Sequence, residues 1–210
     1  MKSSEDASNN GGVTLRRLLY NLISVLFSAL KFGILRIFHI HNFFYEGIQR
    51  FSPNTEVVIA EQGTIRLGKY VRAHRRSKLL AFSSGVLEIG SNTALGNGVS
   101  INCMDSITIG EGVQIGPDVK IYDHDHDFRV PGGIRAEKFR TAPVKIGDNS
   151  WIGCNVVILM GTTLGENCIV GAGSVLKGEY PANSVIVQKR YTEVTCYSMD
   201  SGSGQEEILK

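Results

Sequence analysis

Two histidines and three aspartates alternate in the segment DHDHD, which runs from Asp123 to Asp127 in a chain with only five histidines. If this segment is extended, alternate side chains point to opposite sides, so His124 and His126 face one way and the aspartates face the other. Paired imidazoles near carboxylates suit a transition-metal site. They equally suit a general base beside a polar substrate-binding group, or a solvated polar loop.

The surrounding sequence predicts that DHDHD lies at the root of a long loop. From residue 87 onward aliphatic residues recur at every sixth position, as in the unbroken series Ile146, Ile152, Ile158, Leu164 and Val170. The interval from Ile121 to Ile146 is not a multiple of six, so the chain must leave the repeat after Ile121 and return before Ile146. Loops longer than about 12 to 15 residues are uncommon in compact domains and are usually functional. We therefore predict an extruded functional loop over residues 122–145.

The period of six predicts the fold class. An α-helix cannot use it, because six residues turn through about 600° and successive aliphatic side chains would spiral around the helix. A solenoid of short stacked strands fits the pattern, with the aliphatic side chains in an inward column and Gly, Asn and Asp at the bends. The expected architecture is all-β, a parallel β-helix over residues 51–190.

Composition limits the classes of protein that the chain can belong to. Its 210 residues are 42% hydrophobic and 20% charged, which is enough for a core of one domain or at most two. Twenty-two basic and 20 acidic residues leave a net charge of +2, so no nucleic-acid partner is expected. The four cysteines show no C-x-x-C spacing, which argues against a zinc motif or a disulfide framework and favours a cytoplasmic location.

A long apolar segment over residues 13–50 precedes the repeat, between polar tails predicted at 1–12 and 191–210. It predicts a helix that begins near Thr14, which can cap the first turn. Polar residues recur every three or four positions and form one narrow stripe on this otherwise apolar helix: Arg17, Asn21, Ser24, Ser28 and Lys31. The uncharged run between Arg17 and Lys31 is shorter than the roughly 20 residues of a membrane span.

Two roles for this helix remain open at the level of sequence. Four basic residues suit a helix that lies on an anionic membrane surface: Arg16, Arg17, Lys31 and Arg36. Packing on the rest of the protein or on a partner subunit explains the apolar arc equally well. A signal anchor is disfavoured, because Glu5 and Asp6 are acidic and no A-x-A site follows. The expected location is the cytoplasm, with peripheral contact at the inner face of the membrane as one option.

The repeat units resemble those of the hexapeptide-repeat acyltransferases. The form [LIV]-G-x-x-[small]-x, WIG at 151–153 and GAGSV at 171–175 are similar to the galactoside and maltose acetyltransferases and to sugar O-acetyltransferases of bacterial surface polysaccharides. The resemblance covers about residues 57–187. It implies a left-handed β-helix, a homotrimer with active sites between subunits, acetyl-CoA as co-substrate and a sugar or glycan acceptor.

The resemblance implies that His126 is the general base. In the galactoside and maltose enzymes the loop histidine stands five residues beyond the last coil aliphatic, and that count from Ile121 ends at His126. Imidazole, with a reference pKa near 6.5, is largely neutral at pH 7 and can take the proton of a sugar hydroxyl. The family transfers the acyl group directly, so no cysteine is assigned as nucleophile, and Cys103, Cys154 and Cys168 are interpreted as small residues tucked into the coils. His124, with Asn102 and Asp105 on the preceding coil, is predicted to bind the acceptor.

A metal site has a precedent among similar folds, the β-helical carbonic anhydrases, which bind zinc through three histidines. A third ligand is missing here, since the other histidines are His39, His41 and His74. We therefore expect no metal at DHDHD.

The family lays coenzyme A along the outer face of the coils over residues 146–175. The predicted contacts are an apolar wall at Trp151, a close approach at Gly153, Gly171, Ala172, Gly173 and Ser174, and phosphate-binding charges at Lys177, Lys189 and Arg190. The glycines equally suit the corners of the coils, and the basic residues equally suit an ordinary surface. The chain reads SVLKGEYP where relatives often read S-V-V-T-K-D-I-P, which makes the nucleotide end of the site less certain.

The function predicted is acetyl-CoA-dependent O-acetylation of a sugar hydroxyl in cell-surface polysaccharide biosynthesis. An N-acetyltransferase acting on an amino sugar or another amine is the nearest alternative, because the same base and thioester serve both reactions. A β-helical metal-binding or scaffold protein is a more distant one.

Overall fold

The computed structural model describes residues 5–189 and 191–196, and it begins with one long helix, α1 (Glu5–Phe38). Four coils of three strands each follow in chain order: β1 (Phe43–Tyr45), β2 (Arg50–Phe51), β3 (Glu56–Ile59), β4 (Thr64–Leu67), β5 (Arg72–Ala73), β6 (Lys78–Ala81), β7 (Val86–Ile89), β8 (Ala94–Leu95), β9 (Ser100–Cys103), β10 (Ser106–Ile109), β11 (Gln114–Ile115) and β12 (Lys120–Tyr122). A hairpin then leaves the solenoid, formed by β13 (His124–His126), a 3₁₀ turn (Gly133–Ala136) and β14 (Phe139–Thr141). The remaining coils contain β15 (Val144–Ile146), β16 (Trp151–Ile152), β17 (Val157–Ile158), β18 (Thr163–Leu164), β19 (Ile169–Val170), β20 (Val175–Leu176), β21 (Glu179–Tyr180) and β22 (Val185–Ile186).

The coil strands form three parallel sheets, each of which takes one strand from every complete coil. Their orders are β1-β4-β7-β10-β15-β18-β21, β2-β5-β8-β11-β16-β19-β22 and β3-β6-β9-β12-β17-β20. The register aligns aliphatic residues directly, as where Ile107 lies between Leu87 and Val144, and all three are fully buried. The predicted parallel β-helix with its inward aliphatic column, N-terminal helix and single extruded loop is therefore confirmed.

The bends between strands use left-handed backbone, and asparagines predicted to sit at the bends adopt it. Asn92, Asn149, Asn155 and Asn167 all have φ between 55° and 61°. Asparagine tolerates this conformation better than most non-glycine residues, because its short side chain can hydrogen-bond locally.

The solenoid begins at Phe43 and not at residue 51, where the sequence placed its start. Phe43 aligns with Ile65, and Ile65 aligns with Leu87, so each of these first coils is longer than three hexapeptides. Because their aliphatic residues do not recur every six positions, the early coils carry no hexapeptide signal. Residues 43–50, which the sequence assigned to the helical segment, thus belong to the first coil.

The helix α1 begins at Glu5, whereas the sequence predicted a start near Thr14 after a polar tail. Once a helix has nucleated, each added residue gains a backbone hydrogen bond, so weak helix formers such as Gly11 and Gly12 can join it. At the other end, residues 191–196 form neither helix nor strand, and the rest of the predicted C-terminal tail lies outside the described residues.

The polar stripe of α1 faces the first coil. The Tyr20 hydroxyl lies 2.6 Å from the Ser52 hydroxyl, and the Ser28 hydroxyl accepts a 2.7 Å hydrogen bond from the Phe51 N–H. Farther along the helix, the Lys31 ammonium group donates to the Thr55 carbonyl at 2.7 Å. A fully buried aromatic cluster of Phe32, Phe43 and Phe51 stabilises the same contact. The ring centroid of Phe32 lies 5.1 Å from that of Phe43 and 4.8 Å from that of Phe51. The helix is thus fixed to the solenoid by its polar stripe and by Phe32.

Candidate active site

The extruded segment is a β-hairpin at its root. Strand β13 pairs antiparallel with β14, so that His124 lies opposite Thr141 and His126 lies opposite Phe139. The extended backbone predicted for DHDHD is confirmed for residues 124–126. The sequence predicted only the length of this loop. The pairing of β13 with β14 orders its base next to the coils.

Both imidazoles line one cavity of about 380 Å³ between the hairpin and the last coils. A volume in this range is typical of small-molecule sites. The lining residues are Tyr122, His124, Asp125, His126, Arg140, Leu159, Met160 and Lys177. The predicted shared face of His124 and His126 is confirmed, although Asp125 also lines this cavity.

Asp123 anchors the hairpin to the neighbouring coil. Its side chain is fully buried and accepts hydrogen bonds from the Met104 N–H at 2.9 Å and the Asp105 N–H at 2.8 Å. It also lies 2.9 Å from Nδ1 of His124. Burial alone would raise the pKa of the Asp123 carboxyl, but the hydrogen bonds from His124, Met104 and Asp105 outweigh it and lower that pKa. An ionised Asp123 can only accept, so in the neutral form of His124 the proton lies on Nδ1 and Nε2 is an acceptor.

His126 is held differently from His124. Its ring packs against Phe139 with the centroids 4.6 Å apart, and its side chain is exposed, whereas the side chain of His124 is only 16% exposed. No ring hydrogen bond of His126 is present within the described residues. Phe139 also meets the His124 ring edge-on at 5.7 Å, so one aromatic side chain supports both imidazoles. Nothing in the sequence indicated this role, because it depends on the pairing of β13 with β14.

Two cationic side chains complete the cavity. Arg140 lies opposite Asp125 in the hairpin, with its guanidinium 4.0 Å from the carboxylate, and its Nε is buried without a hydrogen-bond partner in the described chain. Lys177, predicted to bind a phosphate of coenzyme A, lies in the same cavity as the histidines. The cavity thus combines two imidazoles, which can accept a proton, with two cationic side chains, which can donate hydrogen bonds to a negatively charged or strongly polar group. Within residues 5–189 and 191–196, no cluster of three or more His, Cys, Asp or Glu could hold a metal ion.

The two residues predicted to bind the acceptor from the preceding coil do not line this cavity. Asn102 lies beside Tyr122 in the register of β9 and β12, and its amide donates to the Ser100 hydroxyl at 3.1 Å. Asp105 contributes through its backbone, whose N–H binds Asp123. Their roles in acceptor binding stay predictions.

The residues predicted to contact coenzyme A are spread along the last coils. Trp151 is exposed on the outer face of its sheet, beside Ile169. A Cβ at Gly153 would lie 2.7 Å from the backbone nitrogen of Ala172, so the stacking of the coils itself requires glycine there. Ser174 is buried, and its hydroxyl donates to the Gly171 carbonyl at 2.7 Å.

The remaining members of this set lie near the C-terminal end of the solenoid. Gly173 occupies a left-handed bend with φ of 70°, and Ala172 is exposed beside it. Lys189 is exposed after the last strand, whereas Arg190 lies outside the described residues. Contact of any of them with coenzyme A stays a prediction.

The cysteines divide into two buried and two exposed residues. Cys103 and Cys168 are buried as predicted, but the interpretation of Cys154 as a tucked-in coil residue is wrong, because it stands at an outward position of a bend. Burial and the nearby Asp123 carboxylate raise the pKa of the Cys103 thiol. A thiol in that state is a poor nucleophile at neutral pH.

Comparison with known proteins identifies the repeat. The family model described as bacterial transferase hexapeptide (six repeats) matches residues 143–178. A protein of Escherichia coli K12 named as the lipopolysaccharide biosynthesis O-acetyl transferase WbbJ is 33% identical over 138 residues, which cover 61% of this chain and 69% of WbbJ. The galactoside O-acetyltransferase of the same organism is 34% identical over 103 residues, which cover 47% of this chain and 48% of that enzyme.

Solved structures share the fold at lower identity. A hexapeptide-repeat acetyltransferase from Vibrio cholerae, crystallised with acetyl-CoA, has a TM-score of 0.50 and 24% identity, covering 89% of this chain and 86% of its own. The N-acyltransferase AntD of Bacillus cereus, in complex with dTDP and 3-hydroxybutyryl-CoA, has a TM-score of 0.57 and 20% identity, covering 70% and 80%. At these identities the likeness concerns the architecture alone.

Proposed function

Because this chain belongs to the hexapeptide-repeat acetyltransferase family, we propose that it transfers the acetyl group of acetyl-CoA to a hydroxyl of a sugar or glycan. Membership rests on the likeness to WbbJ, which extends over two thirds of that protein. The observation that carries the proposal is the cavity at the hairpin root, where two imidazoles and two cations converge. The names of WbbJ and of the galactoside enzyme support a hydroxyl acceptor and a role in cell-surface polysaccharide biosynthesis.

The reaction needs a base, because a sugar hydroxyl is a poor nucleophile at neutral pH. In the proposed step a neutral imidazole, assigned to His126, takes the hydroxyl proton while the oxygen attacks the thioester carbon. The carbon–sulfur bond then breaks, and the departing thiolate of coenzyme A takes the proton back from the imidazolium. No acyl-enzyme forms, in keeping with the raised pKa of the Cys103 thiol.

His124 has a separate role in this proposal. Asp123 fixes its Nδ1–H, so that Nε2 is a hydrogen-bond acceptor at the cavity wall. Such an acceptor can bind a second hydroxyl of the sugar and orient the reacting one. Lys177 and Arg140 supply positive charge that stabilises the oxyanion formed at the thioester carbonyl.

The proposed assembly is a homotrimer in the cytoplasm, with coenzyme A lying along the outer face of the last coils. The exposed Trp151 and Lys189 on those coils are available for such contacts. In this arrangement a neighbouring subunit completes the acceptor site.

A panel of sugar acceptors, assayed with acetyl-CoA by release of the free thiol, tests the proposal. The panel includes amino sugars, whose amide product is stable to mild alkali, whereas a sugar ester is cleaved. We expect thiol release that depends on a hydroxyl acceptor and an alkali-labile product. An alkali-stable product from amino sugars alone would point to N-acetylation. A lack of turnover with every acceptor, together with stoichiometric zinc binding, would favour a metal-binding protein.

A further inference from the structure

The outward face of α1 is apolar and uncovered. Because its polar stripe faces the solenoid, most of the large hydrophobic side chains of the helix point away from the protein. Ten of them are between 48% and 78% exposed: Leu15, Leu18, Leu19, Leu22, Ile23, Leu26, Leu30, Ile34, Ile37 and Phe38. A continuous apolar surface of this length is unusual on a soluble protein and marks a site of contact.

Positive charge lies on the polar side of α1, at the junction of the helix with the first coils. Arg17 of the helix and Arg50 of the first coil line a cavity of about 190 Å³ together with His74, and Arg72 borders the adjoining cavity with Arg50. None of these arginines takes part in the ion pairs found among the described residues. Burial, together with the neighbouring charges of Arg72 and Arg17, lowers the pKa of Arg50. Arg17, Arg50 and Arg72 therefore form an arginine cluster, and no carboxylate of the described chain is paired with it.

Of the four basic residues that the sequence had assigned to a membrane surface, only Arg17 belongs to this cluster. Lys31 is turned inward to the Thr55 carbonyl, and Arg36 donates to the Phe43 carbonyl. Arg50 lies in the first coil and Arg72 in the second, and neither is part of α1. Structure and sequence thus agree on an amphipathic helix but differ on which charges accompany its apolar face.

We propose that α1 lies in the plane of an anionic phospholipid membrane, with its outer face among the acyl chains and Arg17, Arg50 and Arg72 at the lipid phosphates. The charge of the arginine cluster is complementary to anionic headgroups, and apolar side chains flanked by basic ones are typical of interfacial helices. This inference goes beyond acetyl transfer and does not depend on it.

The contacts of the helix favour the membrane plane over a membrane crossing. By length and composition alone, residues Leu15–Phe38 could span a bilayer. However, hydrogen bonds at Tyr20, Ser28 and Lys31 tie the helix to the first coil over several turns. A crossing would draw the charged side chains of that coil into the hydrocarbon, where they are strongly disfavoured.

Sedimentation of the full chain with vesicles tests the proposal. One set consists of phosphatidylcholine, and the other contains equal parts of phosphatidylcholine and phosphatidylglycerol. The wild type is expected to bind the anionic set more tightly at low salt. The variant L18Q/L22Q/L26Q should lose affinity for that set on the order of 100-fold, because three exposed apolar side chains no longer partition. The variant R50Q/R72Q should lose about fivefold per arginine on the anionic set and bind neutral vesicles unchanged.

A matched control replaces exposed apolar residues at the far end of the solenoid. The variant V185Q/V187Q should bind vesicles like the wild type, and circular dichroism verifies that every variant is folded. Equal vesicle binding by the leucine variant and the wild type would overturn the proposal, as would absence of wild-type binding to anionic vesicles. If L18Q/L22Q/L26Q instead changes the mass measured by sedimentation equilibrium without lipid, a second copy of the chain covers the outward face of α1, and the membrane proposal is overturned. Retention of the protein in cell membranes after alkaline carbonate extraction would indicate a crossing helix and contradict the in-plane arrangement.

Discussion

At the residue scale, Asp123 links the hairpin to the preceding coil, 18 and 19 residues earlier in the chain. Its carboxylate is fully buried, receives two backbone N–H groups and fixes the tautomer of His124. The DHDHD pattern predicted that imidazoles and aspartates would point to opposite sides, but not what the buried aspartate would bind. Its partners Met104 and Asp105 come from another coil, and only the stacking of coils brings them near.

The lowered pKa of Asp123 predicts a pH dependence of stability. A carboxyl whose pKa is lower in the folded than in the unfolded state stabilises the fold above the unfolded value of about 3.9. That contribution is lost as the pH falls through the folded value. We expect Asp123→Asn to lower the free energy of unfolding at pH 7 by about 1 to 3 kcal/mol and to weaken its decline in acid. Urea unfolding across this pH range measures both effects.

The control for this experiment is Asp125→Asn, which changes an exposed carboxyl two residues away. This variant should match the wild type within about 0.5 kcal/mol at every pH. Equal pH dependence in the Asp123 variant and the wild type would show that the buried carboxylate does not have the assigned role.

The assignment of the base predicts unequal effects of the two histidines. General-base catalysis typically contributes 10²- to 10⁴-fold, so His126→Ala should lower kcat by about that factor while acetyl-CoA still binds. His124→Ala should lower kcat markedly less and raise KM for the acceptor. Steady-state kinetics with both substrates varied separates these effects. The reverse ranking would make His124, which Asp123 already orients, the base.

At the scale of elements, the six-residue repeat was readable wherever coils are built of hexapeptides. Ile146, Ile152 and Ile158 lie inward as the pattern requires. The sequence did not predict the early coils from Phe43, because aligned residues in neighbouring coils are more than 18 positions apart there, as in the pair of Phe43 and Ile65. The helix was predicted as amphipathic, but periodicity does not reveal which face meets the protein. The hairpin depends on pairing between Asp125 and Arg140, which no local pattern encodes.

Coil stacking predicts opposite effects of alanine at two glycines. A Cβ at Gly153 would lie 2.7 Å from the Ala172 backbone, whereas a Cβ at Gly33 in α1 would meet nothing within 4 Å. Gly153→Ala should therefore lower the thermal midpoint, because backbone in the next coil must shift. Gly33→Ala should raise stability by up to about 1 kcal/mol through helix propensity. Thermal unfolding of the two variants measures the contrast, and an unchanged midpoint for Gly153→Ala would contradict the stacking argument.

At the scale of the whole molecule, the proposed trimer and the proposed membrane contact use different parts of the chain. The cavity lies where the hairpin leaves the solenoid, and the apolar face lies on the helix before the first coil. Sedimentation equilibrium without lipid should give about three times the chain mass of 22.9 kDa. A single species of 22.9 kDa at micromolar concentration would contradict the trimer.

The central claim is direct transfer of an acetyl group from coenzyme A to a glycan hydroxyl at the hairpin cavity. Acetyl-CoA labelled in its acetyl carbons tests this claim most directly, with the double variant H124A/H126A as the control. The label should appear in the glycan as an alkali-labile ester with the wild type, be nearly absent with the double variant, and never remain covalently bound to protein. Label trapped on the protein, or equal glycan labelling by both proteins, would contradict the account.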